Sequence, residues 1–408
     1  MRAALPRSRR FLALAVSLIL LTALSTSTGA VATASAGNGS VGPRCPSGTE
    51  RTHGLCLSSA PRAQEAAAVV RTAFRDQDLG AVIAGVWRKD EPVLVGALGE
   101  SLPGVPATRN MHHITGNMTA SMLTTVFLQL VDEGKLALDD KLSDWFPTMP
   151  SADSITLEML AHSTSGYAHF PADENFQKAL YANPFRSWNP ARLVRFALSE
   201  PLAFPPGTGW QFADTNLLIL QMVIEKTTHR PMGKLLQNRV FDPLGLKNTT
   251  PAEPGALLEP VLHGYTAERG VWEDATFWNP EWIQYAGGVG SNQADVRRFI
   301  EAVGSGELVS PKSHEAQLAP TTVGLNPLMT KQFYYAMGIG VTKGWIFANP
   351  ALPGYTAAIA HLPKKDLTIV IYSTRTKAAD QEGRQSSQLF VQLATLLAPQ
   401  HVPQLPGG

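Results

Sequence analysis

The stretch His112–Asp140, HHITGNMTASMLTTVFLQLVDEGKLALDD, decides how the chain is read. It begins as a loop, continues as one long helix and turns at Gly134. Met118, Met122, Val126 and Leu130 recur every four residues, and Leu123 and Phe127 widen the same apolar stripe. Asp132 and Glu133 run into Gly134, a residue that ends helices. The expected element is an amphipathic helix with one face on a core.

Composition sets the frame around it. The chain has 408 residues, 44% hydrophobic and 16% charged, enough to bury a large core in one or two domains. Residues 1–36 have the layout of a secretory leader: Arg2, Arg7, Arg9 and Arg10, the apolar run 11–24, then Ala34-Ser35-Ala36. The apolar run is short for a membrane span, and no cysteine stands at the cleavage point to carry a lipid. Without the leader the chain has 30 Lys+Arg against 33 Asp+Glu, so nothing marks it for nucleic acid or an anionic membrane. A secreted chain with no membrane span is expected. Its two cysteines, Cys45 and Cys56, lie in CPSGTERTHGLC, which in an exported protein reads as one local disulfide. A metal site there would need more ligands than His53 supplies, and no metal or cofactor is expected.

Working outward, 37–60 is expected as an extended, stapled arm and 62–77 as a helix with Ala66, Val69, Val70 and Phe74 on one face. GAVIAGVWRKDEPVLVGALGE reads as a hairpin turning at Lys89-Asp90-Glu91-Pro92. Residues 140–250 are mainly helical and loop-rich. Strands return as YAMGIGV, GWIFA, GYTAAIAHL and LTIVIYST, and a helix over about 382–397 would pack on their sheet.

The segment LQLVDEGKLALDDKLSDWFP resembles the one that follows the nucleophile in secreted serine β-lactamases and penicillin-recognising DD-peptidases of the class C type. ITLEMLAHSTSG, PPGTGWQFADTNLLILQMVIEKTT, FDPLGLKNT and YAGGVGSNQADVRRFIEAV extend the resemblance over about residues 71–397. It implies an α/β (α+β) fold: an antiparallel β-sheet domain flanked by helices plus an inserted all-helical domain. The sheet part would span about 61–115 and 285–400, the helical part about 116–284, and 401–408 a tail.

The resemblance also implies three motifs around one cleft. The first, Ser-x-x-Lys, puts serine and lysine on one helix face. Counting back from Gly134, its serine position falls on Asn117 and its lysine position on Ala120; a one-residue slip gives Gly116 and Thr119. The second, Tyr-x-Asn, falls on Phe212 and Asp214. Phe212 has no proton to exchange. The third, Lys/His-x-Gly before an LPGY turn, falls on Ala348-Asn349-Pro350. Pro350 has no backbone N–H to offer an extended substrate.

The resulting expectation is a family member without the acyl-enzyme machinery that keeps a cleft for a small molecule, a peptide or a protein partner. Asn117, Phe212, Asp214, Asn349 and Tyr355 would line it. A different enzyme class is the alternative, with Asp214 and either His113 or His112 moving protons without a covalent intermediate. The third reading is a hydrolase whose nucleophile has moved to Thr119, Ser121, Ser163, Thr164 or Ser165.

Overall fold

Along the central strands successive side chains join two different cores. The computed structural model describes residues 43–379 and 382–405, so the expected leader lies outside the described residues. Among the described residues nine strands run through one sheet: β1 Thr49–Thr52, β2 Leu55–Ser58, β3 Leu79–Arg88, β4 Glu91–Leu102, β5 Phe333–Tyr335, β6 Gly340–Thr342, β7 Trp345–Ala348, β8 Tyr355–Leu362 and β9 Leu367–Arg375. Their order is β1-β2-β4-β3-β9-β8-β7-β6-β5, and the pairings are antiparallel. Two-residue strands at Val105–Pro106 and Ala351–Leu352 add to it.

Both faces are buried. Val82, Ala84 and Val86 of β3, and Ile369 and Ile371 of β9, pack with the helices α1 (Ala63–Asp76) and, near the C-terminus, Gln385–Leu397. The intervening Ala81, Ile83, Val370 and Tyr372 join a larger core on the other face. Period-two alternation therefore divides one sheet between two apolar layers.

The second layer is built around helix α2, Met118–Asp132. Besides its apolar stripe, Thr119, Ala120, Ser121, Thr124 and Thr125 are all buried. The helix is enclosed rather than amphipathic. Hydroxyls make that affordable, since Thr124 and Thr125 both donate to Ser121 O. Between α2 and the returning strands come α3 Leu157–Ala161, α4 Glu174–Ala182, α5 Pro190–Leu198, α6 Asp214–Thr228 and α7 Gln293–Ser305. No described helix is long and apolar enough to cross a membrane.

Three expectations change. The arm is not a free extension: β1 and β2 form a hairpin docked on β4, with Leu55, Cys56 and Leu57 buried. YAMGIGV is not one strand. It breaks between β5 and β6, where Gly338 takes φ +69° and Met337 O accepts from Thr124 Oγ1 of α2. The tail is tied down as far as 405: Trp345 Nε1 donates to His401 O at 2.8 Å, and Gln404 N to Thr342 Oγ1 at 2.9 Å.

Cys45 and Cys56 are joined, with Cα atoms 5.6 Å apart. Because Cys56 sits in a strand of the main sheet, the staple constrains a structural edge. The double variant Cys45→Ser/Cys56→Ser should lose roughly 3 kcal/mol in denaturant unfolding, the loop-closure contribution of a ring this small. An unchanged midpoint would show that the hairpin docks without it.

Candidate functional site

The loop before α2 is shaped by Gly116. Its φ is +58°, and a Cβ there would lie 2.3 Å from Pro350 Cβ. Glycine is required on both counts. The segments carrying Asn117 and Pro350 are therefore in direct contact. Asn117 is half-buried, and its Oδ1 is shielded from solvent without a hydrogen bond among the described residues. One turn on, Ala120 is fully enclosed, with a Cβ on Gly338 lying only 2.7 Å from Ala120 O.

The strand β7 ends at Ala348, which is buried and paired with Ile359. Asn349 is exposed, and Pro350 O accepts from Ala357 N at 2.8 Å. Tyr355, expected to face a ligand, is spent internally. Its hydroxyl donates to Leu262 O at 2.7 Å, with Thr276 Oγ1 at 3.0 Å, and only its ring borders a cavity of about 30 Å³ beside Trp278 and Trp282. That volume holds about one water.

The segment at 210–216 reaches the sheet through Tyr335. Phe212 meets the Tyr335 ring edge-on at 5.9 Å, and Trp210 lies 5.6 Å from it. Tyr335 belongs to the same sheet as Ala348. Its hydroxyl is buried without a hydrogen bond among the described residues. Asp214 opens α6 as its first residue and is buried.

The histidine beside Asp214 is neither of the two expected. His113 is fully buried and stacked on Tyr372 with ring centroids 3.2 Å apart, and burial drives its pKa well down. The Nδ1 of His112 lies 3.1 Å from Pro260 O. His169 takes the place beside Asp214, with Nδ1 3.9 Å from Asp214 Oδ2 and accepting from Asp214 N at 3.2 Å. Thr215 fixes this neighbour: its Oγ1 donates to Ala168 O and accepts from Phe170 N. The backbone on either side of His169 is thus tied to the start of α6. Periodicity carried no trace of it.

The candidate replacement nucleophiles are held in different ways. Thr119 Oγ1 bonds Thr115 Oγ1 and accepts from Val289 N. Ser165 Oγ donates to Asn216 Oδ1, and Thr164 Oγ1 to Met159 O. Ser121 and Ser163 have buried hydroxyls without hydrogen bonds among the described residues.

Burial sets the protonation of the Asp214–His169 pair. The Asp214 carboxyl is pushed up to about 7, and the His169 imidazole down to about 4. The two act on stability with opposite signs. Asp214 contributes stability that is present below about pH 4 and lost as pH rises through 7. His169 contributes stability that is present above about pH 6.5 and lost as pH falls through 4. Between pH 4 and 6.5 they largely offset each other in the wild type. Asp214→Asn should therefore make unfolding stability climb with pH across that window, and His169→Gln should make it fall. Stability–pH profiles of both variants with the same slope as wild type would show that the pair does not titrate in this way.

The family model described as Beta-lactamase matches residues 66–392. Among curated proteins, the chain is 24% identical over 283 residues to the putative penicillin-binding protein PbpX of Bacillus subtilis (strain 168), covering 67% of this chain and 65% of that one. It is 30% identical over 226 residues to the lovastatin esterase of Penicillium rubens, covering 45% of this chain and 56% of that one. The chain thus spans less than two thirds of the length of these relatives. Among solved structures, a D-stereospecific amidohydrolase from Streptomyces sp. superposes with a TM-score of 0.72 at 24% identity, covering 81% of this chain and 98% of that one. The D-amino acid amidase of Ochrobactrum anthropi SV3, complexed with L-phenylalanine amide, gives 0.69 at 19% identity, with 80% and 95% covered.

Proposed function

The chain belongs to the beta-lactamase family, and from that premise we propose that it is an exported, non-acylating member that binds a ligand instead of cleaving one. One observation carries the reading: the residue opening into α2 is Asn117, a carboxamide, and one turn on stands the enclosed Ala120. Neither an acyl-accepting hydroxyl nor an amine to serve it stands at these two positions. Losing the nucleophile alone costs on the order of a million-fold in turnover in an enzyme whose catalytic groups act as a unit. Phe212 and Pro350 support the same conclusion, since one lacks a phenol proton and the other a backbone donor.

The occupant in this reading is a small molecule or a peptide, and no nucleic acid. The leader-like residues 1–36 and the Cys45–Cys56 bridge support export. A second reading keeps catalysis without a covalent step. It rests on the Asp214–His169 pair, because a carboxyl poised at about 7 beside a neutral imidazole can exchange protons near neutral pH.

The test is covalent labelling. A fluorescent penicillin should label neither the mature protein nor Asn117→Ser, because a serine restored at 117 still faces Ala120. An activated ester should give no burst. Labelling of the wild type that disappears in Thr119→Ala or Ser121→Ala would establish a relocated nucleophile and overturn the proposal. Intact mass should show a chain starting near Gly37 that lacks two hydrogens for the bridge.

A further inference from the structure

We propose that the cavity beside His169 binds a small ligand carrying both a free amine and a carbonyl, of the size of a dipeptide amide. This goes beyond the reading above, since Asn117, Phe212 and Ala348 do not line this cavity, and its test is separate from the labelling test of acylation. The cavity measures about 460 Å³ and is walled by His169, Asp173, Glu174, Phe196, Glu200 and Gln211 among others. That volume lies within the usual range of small-molecule sites, about 300–1,000 Å³.

The hydrogen-bond donor is fixed by the fold. Asp214 N–H occupies the Nδ1 lone pair of His169, so the neutral ring carries its proton on Nε2. The His169 side chain is 27% exposed and lines the cavity, and its Nε2 has no partner among the described residues. It is a preset donor for a ligand carbonyl, with the Gln211 amide in the same wall. Behind the ring lies the Asp214 side chain, 6% exposed. No donor among the described residues hydrogen-bonds its carboxylate, and it faces Nδ1 at 3.9 Å.

The charge of the walls selects the other end of the ligand. Every charged side chain lining the cavity is acidic: Asp173, Glu174 and Glu200. Asp173 Oδ1 is engaged by Phe176 N at the start of α4, and Glu174 is shared with Lys178 at 3.2 Å. Glu200 has no ion pair among the described residues and is exposed, so it is the carboxylate available to an ammonium. Phe170 and Phe196 supply an apolar wall for a short side chain. A ligand carboxylate meets only like charge here.

The experiment is calorimetric or NMR titration of the mature protein at pH 7 with alanyl-alaninamide, its N-acetyl form, and alanyl-alanine. The amine-bearing amide should bind best. Removing its charge by acetylation should weaken it about fivefold, as should the free carboxylate of alanyl-alanine. Glu200→Gln should weaken the amine ligand by about the same factor and leave the acetylated one unchanged. His169→Phe, which keeps the ring and removes the N–H, should weaken both amides about fivefold. Glu200 is an exposed side chain, so its variant stays folded even if His169→Phe does not. Equal binding of the acetylated form, indifference of the amine ligand to Glu200→Gln, or no binding of alanyl-alaninamide at about 10 mM would each overturn the proposal.

Discussion

Enclosing α2 on every side is the constraint on which the rest of the molecule depends. A helix buried over most of its length has little solvent to satisfy its polar side chains, so most of them are answered from within, the Ser121 hydroxyl excepted. Thr124 answers both to its own helix and to Met337 O across the β5–β6 break, and Gln129 reaches Arg239 O and Leu308 O. These bonds fix the distance from α2 to the sheet and to the segments on its far side. The contact of Gly116 with Pro350 follows from the same placement, because the loop entering a fixed helix cannot retreat from the strand that ends beside it.

Much of this was legible in residues 112–140 and in the strands. Apolar runs bounded by turn residues were clear enough to place the 79–102 hairpin, and the strands at 355–362 and 367–375 on either side of a Lys-Lys-Asp turn, within a residue or two. The helix α2 was legible as a helix but not as an enclosed one. A stripe of methionine and leucine looks the same whether the opposite face meets water or other side chains, and threonine and serine suit either environment. The break at 336–339 was hidden for a related reason. YAMGIGV has strand-like composition, and only a tertiary bond to Thr124 reveals that its middle turns.

The candidate site divides along the same line. Asn117, Ala120, Phe212, Ala348 and Pro350 could be named because each is anchored to a nearby, recognisable segment. What stands next to Asp214 could not. His169 is brought there by Thr215 bridging Ala168 and Phe170, a pair of hydrogen bonds between residues 45 and 47 apart. Such long-range hydroxyl bonds leave no period in a sequence. His112 and His113 were closer to the motif along the chain, but the short strand His113–Ile114 pairs with Gly290–Ser291 and carries both rings elsewhere.

The edges of the sheet have a consequence for life at high concentration. An open strand edge is a template for another chain, and long flat edges aggregate. Here one edge is β1, four residues long and followed by a hairpin whose partner strand is stapled through Cys56 to Cys45. The other is β5, three residues long, and the strand behind it is clasped by the C-terminal segment through Thr342 and Gln404. Neither end offers a run of free backbone long enough to recruit a second sheet. Both guards lie at the extremities of the chain. Removing either guard would therefore bare a longer run of edge backbone, the template for sheet-to-sheet association.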